Sequence, residues 1–174
     1  MKLPGPIVIT GFMGCGKTQV AHALANRLGL PLLDLDVEIL KRHGRTAAQM
    51  IVQDGEPAFR KIETNVLREL LQRKTQSVIA LGGGAWITDE NRALVSQHNA
   101  VSVWLDTPFE VCWQRIESSS EHRPLGRTRE EAEQRFHLRR PIYQQATVRV
   151  PVLAHEEPAE IVLRLEADLA KLWK

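Results

Sequence analysis

One stretch near the N-terminus constrains the fold more than any other part of the chain. Ile7-Val8-Ile9, a short β-branched run, leads into Gly11-Phe12-Met13-Gly14-Cys15-Gly16-Lys17-Thr18. A helical pattern follows, with Val20, Leu24 and Leu28 on one stripe and Gly29 as its stop. The glycine-rich segment satisfies G-x-x-x-x-G-K-[ST] at every fixed position, and it does so between a strand and a helix, where that pattern has a physical meaning. Its glycines let the backbone wrap with N–H groups pointing inward, and the helix N-terminus adds the positive end of its dipole, so the loop is an anion nest. Nucleotide phosphates are the expected occupants. Lys17 would reach the outer phosphates and the Thr18 hydroxyl would ligate Mg²⁺. Gly11, Gly14, Cys15, Gly16 and Gln19 complete the expected contacts. The same field favours the Cys15 thiolate, so alkylation at Cys15, with nucleotide as the protectant, is an expectation set beside the simpler one of a small filler.

The strand–helix alternation continues. Apolar runs at 32–35, 77–81, 101–105 and 148–153 read as strands. Helical patterns are expected at about 37–43, 46–53, 56–73, 89–97, 108–116 and 130–143, with a last helix starting at Pro158. The polar segment 118–129 reads as a loop. Strands apolar throughout and alternating with helices define an α/β chain with a parallel sheet covered on both faces and right-handed crossovers. A length of 174 residues, 43% of them hydrophobic, fits one domain spanning 1–174 with a core that needs no staples.

Charge and composition exclude several classes. The net charge of +2 exerts no strong pull toward nucleic acid or anionic lipid. The Arg-rich stretch 123–140 is interrupted by Glu130, Glu131 and Glu133 and lacks stacking aromatics, so it is not a nucleic-acid patch. Sixteen Arg against seven Lys suits bidentate recognition of anionic small ligands, although a GC-rich genome gives the same bias. Two cysteines make no disulfide framework and point to a reducing, cytoplasmic setting. The apolar run before Gly11 is too short for a secretory signal, and no stretch is long enough to span a bilayer. The six histidines show no paired metal spacing. Trp104 is expected in the core and Trp113 partly exposed.

Asp34 and Asp36 flank Leu35 at the end of the second apolar run. Strand alternation would turn both carboxylates to the same side, at the strand end where open α/β sheets bind ligands. One of the two acids is then suited to hold Mg²⁺ through water and the other to accept a proton from a substrate hydroxyl. The alternative is a pair of helix-capping acids.

Further motifs follow in order: Gly55-Glu56-Pro57-Ala58-Phe59-Arg60-Lys61-Ile62-Glu63, then Gly82-Gly83-Gly84, Arg123-Pro124-Leu125, and Arg139-Arg140-Pro141-Ile142-Tyr143. With GFMGCGKT and Asp34-Leu35-Asp36, they make a chain that resembles the shikimate kinase family over almost its whole length. Two departures stand out. The loop ends Lys17-Thr18-Gln19, where members commonly carry Ser then Thr, and Leu35 stands where Thr is frequent. The resemblance implies a three-layer α/β/α P-loop kinase fold with a five-stranded parallel sheet of order 2-3-1-4-5. It also implies substrate-binding helices over about 36–63 and a lid over about 116–129. The implied activity is ATP-dependent phosphorylation of the 3-hydroxyl of shikimate, with Mg²⁺, in aromatic amino acid biosynthesis.

In that reading Asp36 orients and deprotonates the hydroxyl, and Arg60 and Arg139 clamp the carboxylate. Glu63 buttresses Arg60, and Gly82, Gly83 and Gly84 let the backbone approach the ring. Arg123 closes over the γ-phosphoryl group, while Arg115 and Pro158 lie toward adenine. Spacing alone leaves Arg60 and Glu63 open to a humbler role, a surface ion pair worth ~0.2–0.5 kcal/mol. A monomer without nucleic-acid or membrane partners is expected. Two rivals remain: another small-metabolite kinase of gluconate or nucleotide type, and a catalytically lapsed binding relative.

Overall fold

The computed structural model describes residues 5–73, 75–119 and 128–172. Ile7–Thr10 forms β1, with all four side chains buried. A strand buried on both faces belongs at the centre of a sheet, and β1 lies between β3 (Val78–Ala80) and β4 (Val101–Asp106). Beyond them lie β2 (Leu32–Asp34) and β5 (Val148–Pro151) at the two edges, giving the order β2-β3-β1-β4-β5. All four pairings are parallel: Ile7 is opposite both Val78 and Val101, Leu32 opposite Val78, and Val103 opposite Val148. On edge strand β5, Val148 and Val150 turn inward while Arg149 and Pro151 turn out, a placement proline tolerates because an edge need not donate from every residue. The sheet order and parallel sense are those expected.

Helices lie on both sides of the sheet. Helix α1 (Lys17–Leu28) packs on α8 (Pro158–Leu172) and on β3. Helices α2 (Leu35–His43) and α3 (Ala47–Asp54) pack on α4 (Glu56–Gln72), which also meets α5 (Asp89–Gln97). Helix α6 (Phe109–Ser118) lies against α7 (Arg129–Tyr143). A short 3₁₀ turn, Ala85–Ile87, follows the glycine run. Among the described residues no helix is long and apolar enough to cross a membrane.

Two expectations are corrected. The run 32–35 is not one strand: β2 ends at Asp34, and Leu35 is the first residue of α2, fully buried. Asp34 is the N-cap, its Oδ1 accepting from the N–H groups of Asp36 (3.0 Å) and Val37 (3.2 Å). The alternation argument for Asp34 and Asp36 therefore fails, because Asp36 sits in the first helical turn. Trp113 is buried rather than partly exposed, its ring stacked on Phe109 at 6.3 Å.

Leu24 is fully buried on α1. Leu24→Ala is expected to lower unfolding free energy by about 2–5 kcal/mol in urea titrations.

Candidate active site

Parallel strands deliver their following loops to one edge of the sheet. Because β2, β3 and β1 are neighbours, the Asp34–Asp36 corner, the glycine run after β3 and the glycine loop after β1 lie side by side. They form one wall of a cleft of about 950 Å³. Helix α4 adds Phe59, Arg60 and Glu63, α6 adds Arg115 and α7 adds Arg139.

The loop after β1 turns through left-handed conformations at Gly14 (φ 75°) and Gly16 (φ 97°). A Cβ at Gly14 would also lie 2.6 Å from the Cys112 carbonyl oxygen, so shape and conformation both require glycine there. Gly16 is the N-cap of α1 and makes no side-chain cap, which leaves the first helical N–H groups to an anion. Lys17 Nζ donates to the carbonyls of Gly11 (3.0 Å) and Phe12 (2.8 Å), and Arg115 Nη1 to that of Gly14 (3.3 Å). Thr107 Oγ1 donates to the Cys15 carbonyl at 3.1 Å and ties the loop to the end of β4.

Gly14, Gly16, Lys17, Thr18, Gln19 and Arg115 line the cleft. Gly11 and Cys15 are buried behind it. Cys15 is 1% exposed and packs in the core, so its thiol is a filler rather than a reactive group at the surface of the nest. Pro158 opens α8 and is not among the residues lining the cleft. Arg123 and most of the expected lid, 120–127, lie outside the described residues.

On the other side of the cleft, Arg60 is enclosed by acids. Its Nη1 donates to Glu63 at 2.7 Å, its Nη2 to Glu56 at 2.9 Å and its Nε to Glu56 at 3.3 Å. Burial is the largest single influence on the Arg60 pKa and lowers it, but the charges and hydrogen bonds of Glu63 and Glu56 together outweigh it, so the pKa is raised. Glu63 is 1% exposed, and desolvation pushes its carboxyl up to about 7 against the pull of Arg60, with Asp36 adding to the rise. This is a buried pair and not the surface pair that spacing alone allowed.

The glycine run provides room for it. A Cβ on Gly84 would fall 2.1 Å from Arg60 Nη2, and one on Gly82 would fall 2.9 Å from Asp36 Oδ1 and 3.3 Å from Glu63 Oε1. At Gly83 the nearest atom would be 3.5 Å away. From α7, Arg139 Nη1 reaches the Gly83 carbonyl at 3.3 Å, and desolvation lowers its pKa. Two guanidiniums thus flank one glycine turn. Met13, Val37, Leu40 and Ile51 add an apolar side to the cleft, a feature no motif announced. Glu56 and Tyr143 stand inside quoted motifs but were given no task by the sequence.

A phosphate nest facing a pair of guanidiniums across an acidic corner, on this sheet order, defines a P-loop kinase of a small anionic metabolite. The shikimate kinase family model matches residues 13–170. A shikimate kinase of Cereibacter sphaeroides is 41% identical over 152 residues, covering 86% of this chain and 75% of that one. The solved structure of a shikimate kinase from Acinetobacter baumannii in complex with shikimate has a TM-score of 0.89 at 32% identity, covering 98% of this chain and 96% of that one. A gluconokinase from Sinorhizobium meliloti, with a TM-score of 0.68 at 21% identity over 99% of this chain and 95% of that one, shares the fold. The chain belongs to the shikimate kinase family, whose activity is ATP-dependent phosphorylation of shikimate.

The steric contrast along the glycine run yields an ordered prediction. Gly84→Ala displaces Arg60 and should raise KM for shikimate by at least about tenfold, Gly82→Ala should act next, and Gly83→Ala least. Steady-state kinetics at saturating ATP measures the order.

Proposed function

We propose that the chain transfers the γ-phosphoryl group of ATP to the 3-hydroxyl of shikimate, giving ADP and shikimate 3-phosphate, and that the cleft residues divide the work as follows. The observation that carries this reading is the pair Arg60 and Arg139, set across a glycine turn from the phosphate nest. Two guanidiniums make charge-assisted bonds to a planar carboxylate, which a neutral sugar or a nucleobase does not offer. Gly82, Gly83 and Gly84 admit the ring. The Asp36 carboxylate orients the 3-hydroxyl and takes its proton as the oxygen–phosphorus bond forms in line and the γ-phosphorus bond to ADP breaks. Lys17 and the N–H groups of the nest stabilise charge on the transferring group.

Thr18 and Asp34 fit Mg²⁺. Both are oxygen donors on the cleft, and the capping bonds of Asp34 use Oδ1. A hard cation that keeps most of its waters needs only one or two such protein groups beside the phosphates. It would supply charge neutralisation at the phosphates. Arg123, in the family's lid motif, is read as closing over the γ-phosphoryl group and excluding water, and Arg115 as flanking the adenine side. The family match over 13–170 supports one kinase domain with substrate helices over about 36–63 and a lid over about 116–129. The free, buried thiols of Cys15 and Cys112 suit a reducing cytoplasm. The exposed apolar side chains, such as Val52, Leu138 and Leu163, are spread over separate elements, which supports a monomer. Intact Lys17, Asp36, Arg60 and Arg139 weigh against a lapsed binding module.

Coupled ADP release with Mg·ATP is expected to depend on shikimate and to be absent with gluconate or AMP. Release with gluconate instead would overturn shikimate as the acceptor, and release with AMP instead would overturn the carboxylate reading. Asp36→Asn should lower kcat by at least about a hundredfold while KM for ATP stays within about twofold.

A pH dependence follows from Glu63. A substrate carboxylate arriving on Arg60 adds negative charge beside a group that titrates at about 7 and raises it further, so binding takes up a proton. KM for shikimate should therefore rise as pH climbs through about 7, and Glu63→Gln should flatten that rise.

A further inference from the structure

Tyr143 is the chain's single tyrosine and is 2% exposed. It lies one helical turn beyond Arg139, so the two side chains leave α7 on the same face. Both reach the same atom. Tyr143 Oη donates to the Gly83 carbonyl oxygen at 2.6 Å, and Arg139 Nη1 donates to it at 3.3 Å. Neighbouring contacts hold the arrangement from both directions. The Tyr143 ring stacks on Trp104 with centroids 6.3 Å apart and planes 16° from parallel. Trp86 Nε1, just beyond the glycine run, donates to the Ile142 carbonyl at 3.1 Å. The glycine turn and the C-terminal end of α7 are therefore joined side chain to main chain in both senses.

The unequal lengths of the two bonds on Gly83 carry the point. A carbonyl oxygen has two lone pairs, and a largely desolvated guanidinium is drawn to any oxygen within reach. The short phenolic bond satisfies the oxygen and fixes the turn. Arg139 makes the longer of the two bonds to that oxygen and also meets the Tyr143 hydroxyl itself, so the hydroxyl touches both the glycine turn and the guanidinium. Burial raises the Tyr143 pKa above its ordinary value, so the hydroxyl remains a donor throughout the working range.

We propose that the Tyr143 hydroxyl is a positioning group for the substrate carboxylate: by holding the Gly83 carbonyl it sets the place of the Arg139 guanidinium relative to the glycine turn. The proposal rests on the reading of Arg139 as half of the carboxylate clamp. Tyr143 touches neither substrate nor nucleotide in this role.

Tyr143→Phe keeps the stacked ring and removes only the hydroxyl. KM for shikimate is expected to rise about five- to tenfold, with the effect on kcat and on KM for ATP under about twofold. Combined with Arg139→Ala, the same substitution should add less than about a twofold change, because residues acting through one group are not additive. An unchanged KM for shikimate in Tyr143→Phe, an equal rise in KM for ATP, or the same factor in both backgrounds would overturn the proposal. If Arg139→Ala itself leaves KM for shikimate unchanged, it is the clamp reading that fails.

A measurement that needs no folded hydroxyl-deletion variant runs alongside. Replacing tyrosine biosynthetically with 3-fluorotyrosine labels position 143 alone. Saturating shikimate should move that single ¹⁹F resonance, ATP alone should leave it in place, and Arg139→Ala should abolish the movement. A resonance that shikimate does not move, in a protein that turns over normally, would show that Tyr143 is not coupled to the carboxylate site.

Discussion

A guanidinium that is only 19% exposed, pressed against the backbone of a glycine, survives only with anions beside it. Arg60 meets that condition through Glu63, itself 1% exposed, and through Glu56 on its outer edge. Much of the cleft is arranged around this pair. Gly84 is glycine because the Arg60 head occupies the space of its Cβ, and Gly82 because Asp36 and Glu63 occupy the space of its own. Helix α4 carries Arg60 and Glu63 three residues apart, so a single helix face sets the pair. Burial also pushes the Glu63 carboxyl up to about 7, so the anion beside Arg60 is only partly protonated near neutrality. In the proposed clamp of Arg60 and Arg139, that protonation would leave positive charge for a ligand carboxylate, although three acids stand close by.

The other half of the cleft depends on topology. Parallel strands put every loop that follows them at the same edge, and the order β2-β3-β1 makes three of those loops neighbours. The phosphate nest, the glycine turn and the acidic corner are distant in sequence and adjacent in space for that reason. Bonds from outside then hold the loops still: Thr107 on the Cys15 carbonyl, Tyr143 on the Gly83 carbonyl and Asn91 on the Ala85 carbonyl. Each ends on a main-chain oxygen, so the turns are fixed without using side chains the ligands need.

Local patterns that repeat over several residues were legible in the sequence. The phosphate loop and the parallel sheet declared themselves, and the structure places Asp36, Arg60, Arg139 and the glycine run on one cleft, whereas the Arg60–Glu63 spacing left open a surface pair that the burial of Glu63 excludes. The Asp34–Asp36 corner was misread because an apolar Leu35 continues the strand's hydrophobicity into a buried first helical turn. Three residues cannot distinguish a period of two from one of 3.6. The motif singled out Arg139 from its neighbour Arg140, and the structure separates the two, but the partners of Arg140 were not legible: Arg139 faces Gly83, while Arg140 turns to Asp106 at 3.0 Å and lies over Trp104. The partner of Tyr143 is a main-chain carbonyl 60 positions away, and no side-chain pattern marks such a bond. For Cys15 the motif left a reactive thiol and a small filler both open, and its burial agrees with the filler.

The charge on the substrate is the most direct thing to vary. Comparing kcat/KM for shikimate with that for its carboxamide, at saturating Mg·ATP, keeps the ring and the hydroxyls and removes only the anion. A clamp built from two desolvated guanidiniums predicts a preference for the acid of at least about a hundredfold. Turnover of the amide as efficient as that of the acid would contradict the assignment of Arg60 and Arg139 to the carboxylate.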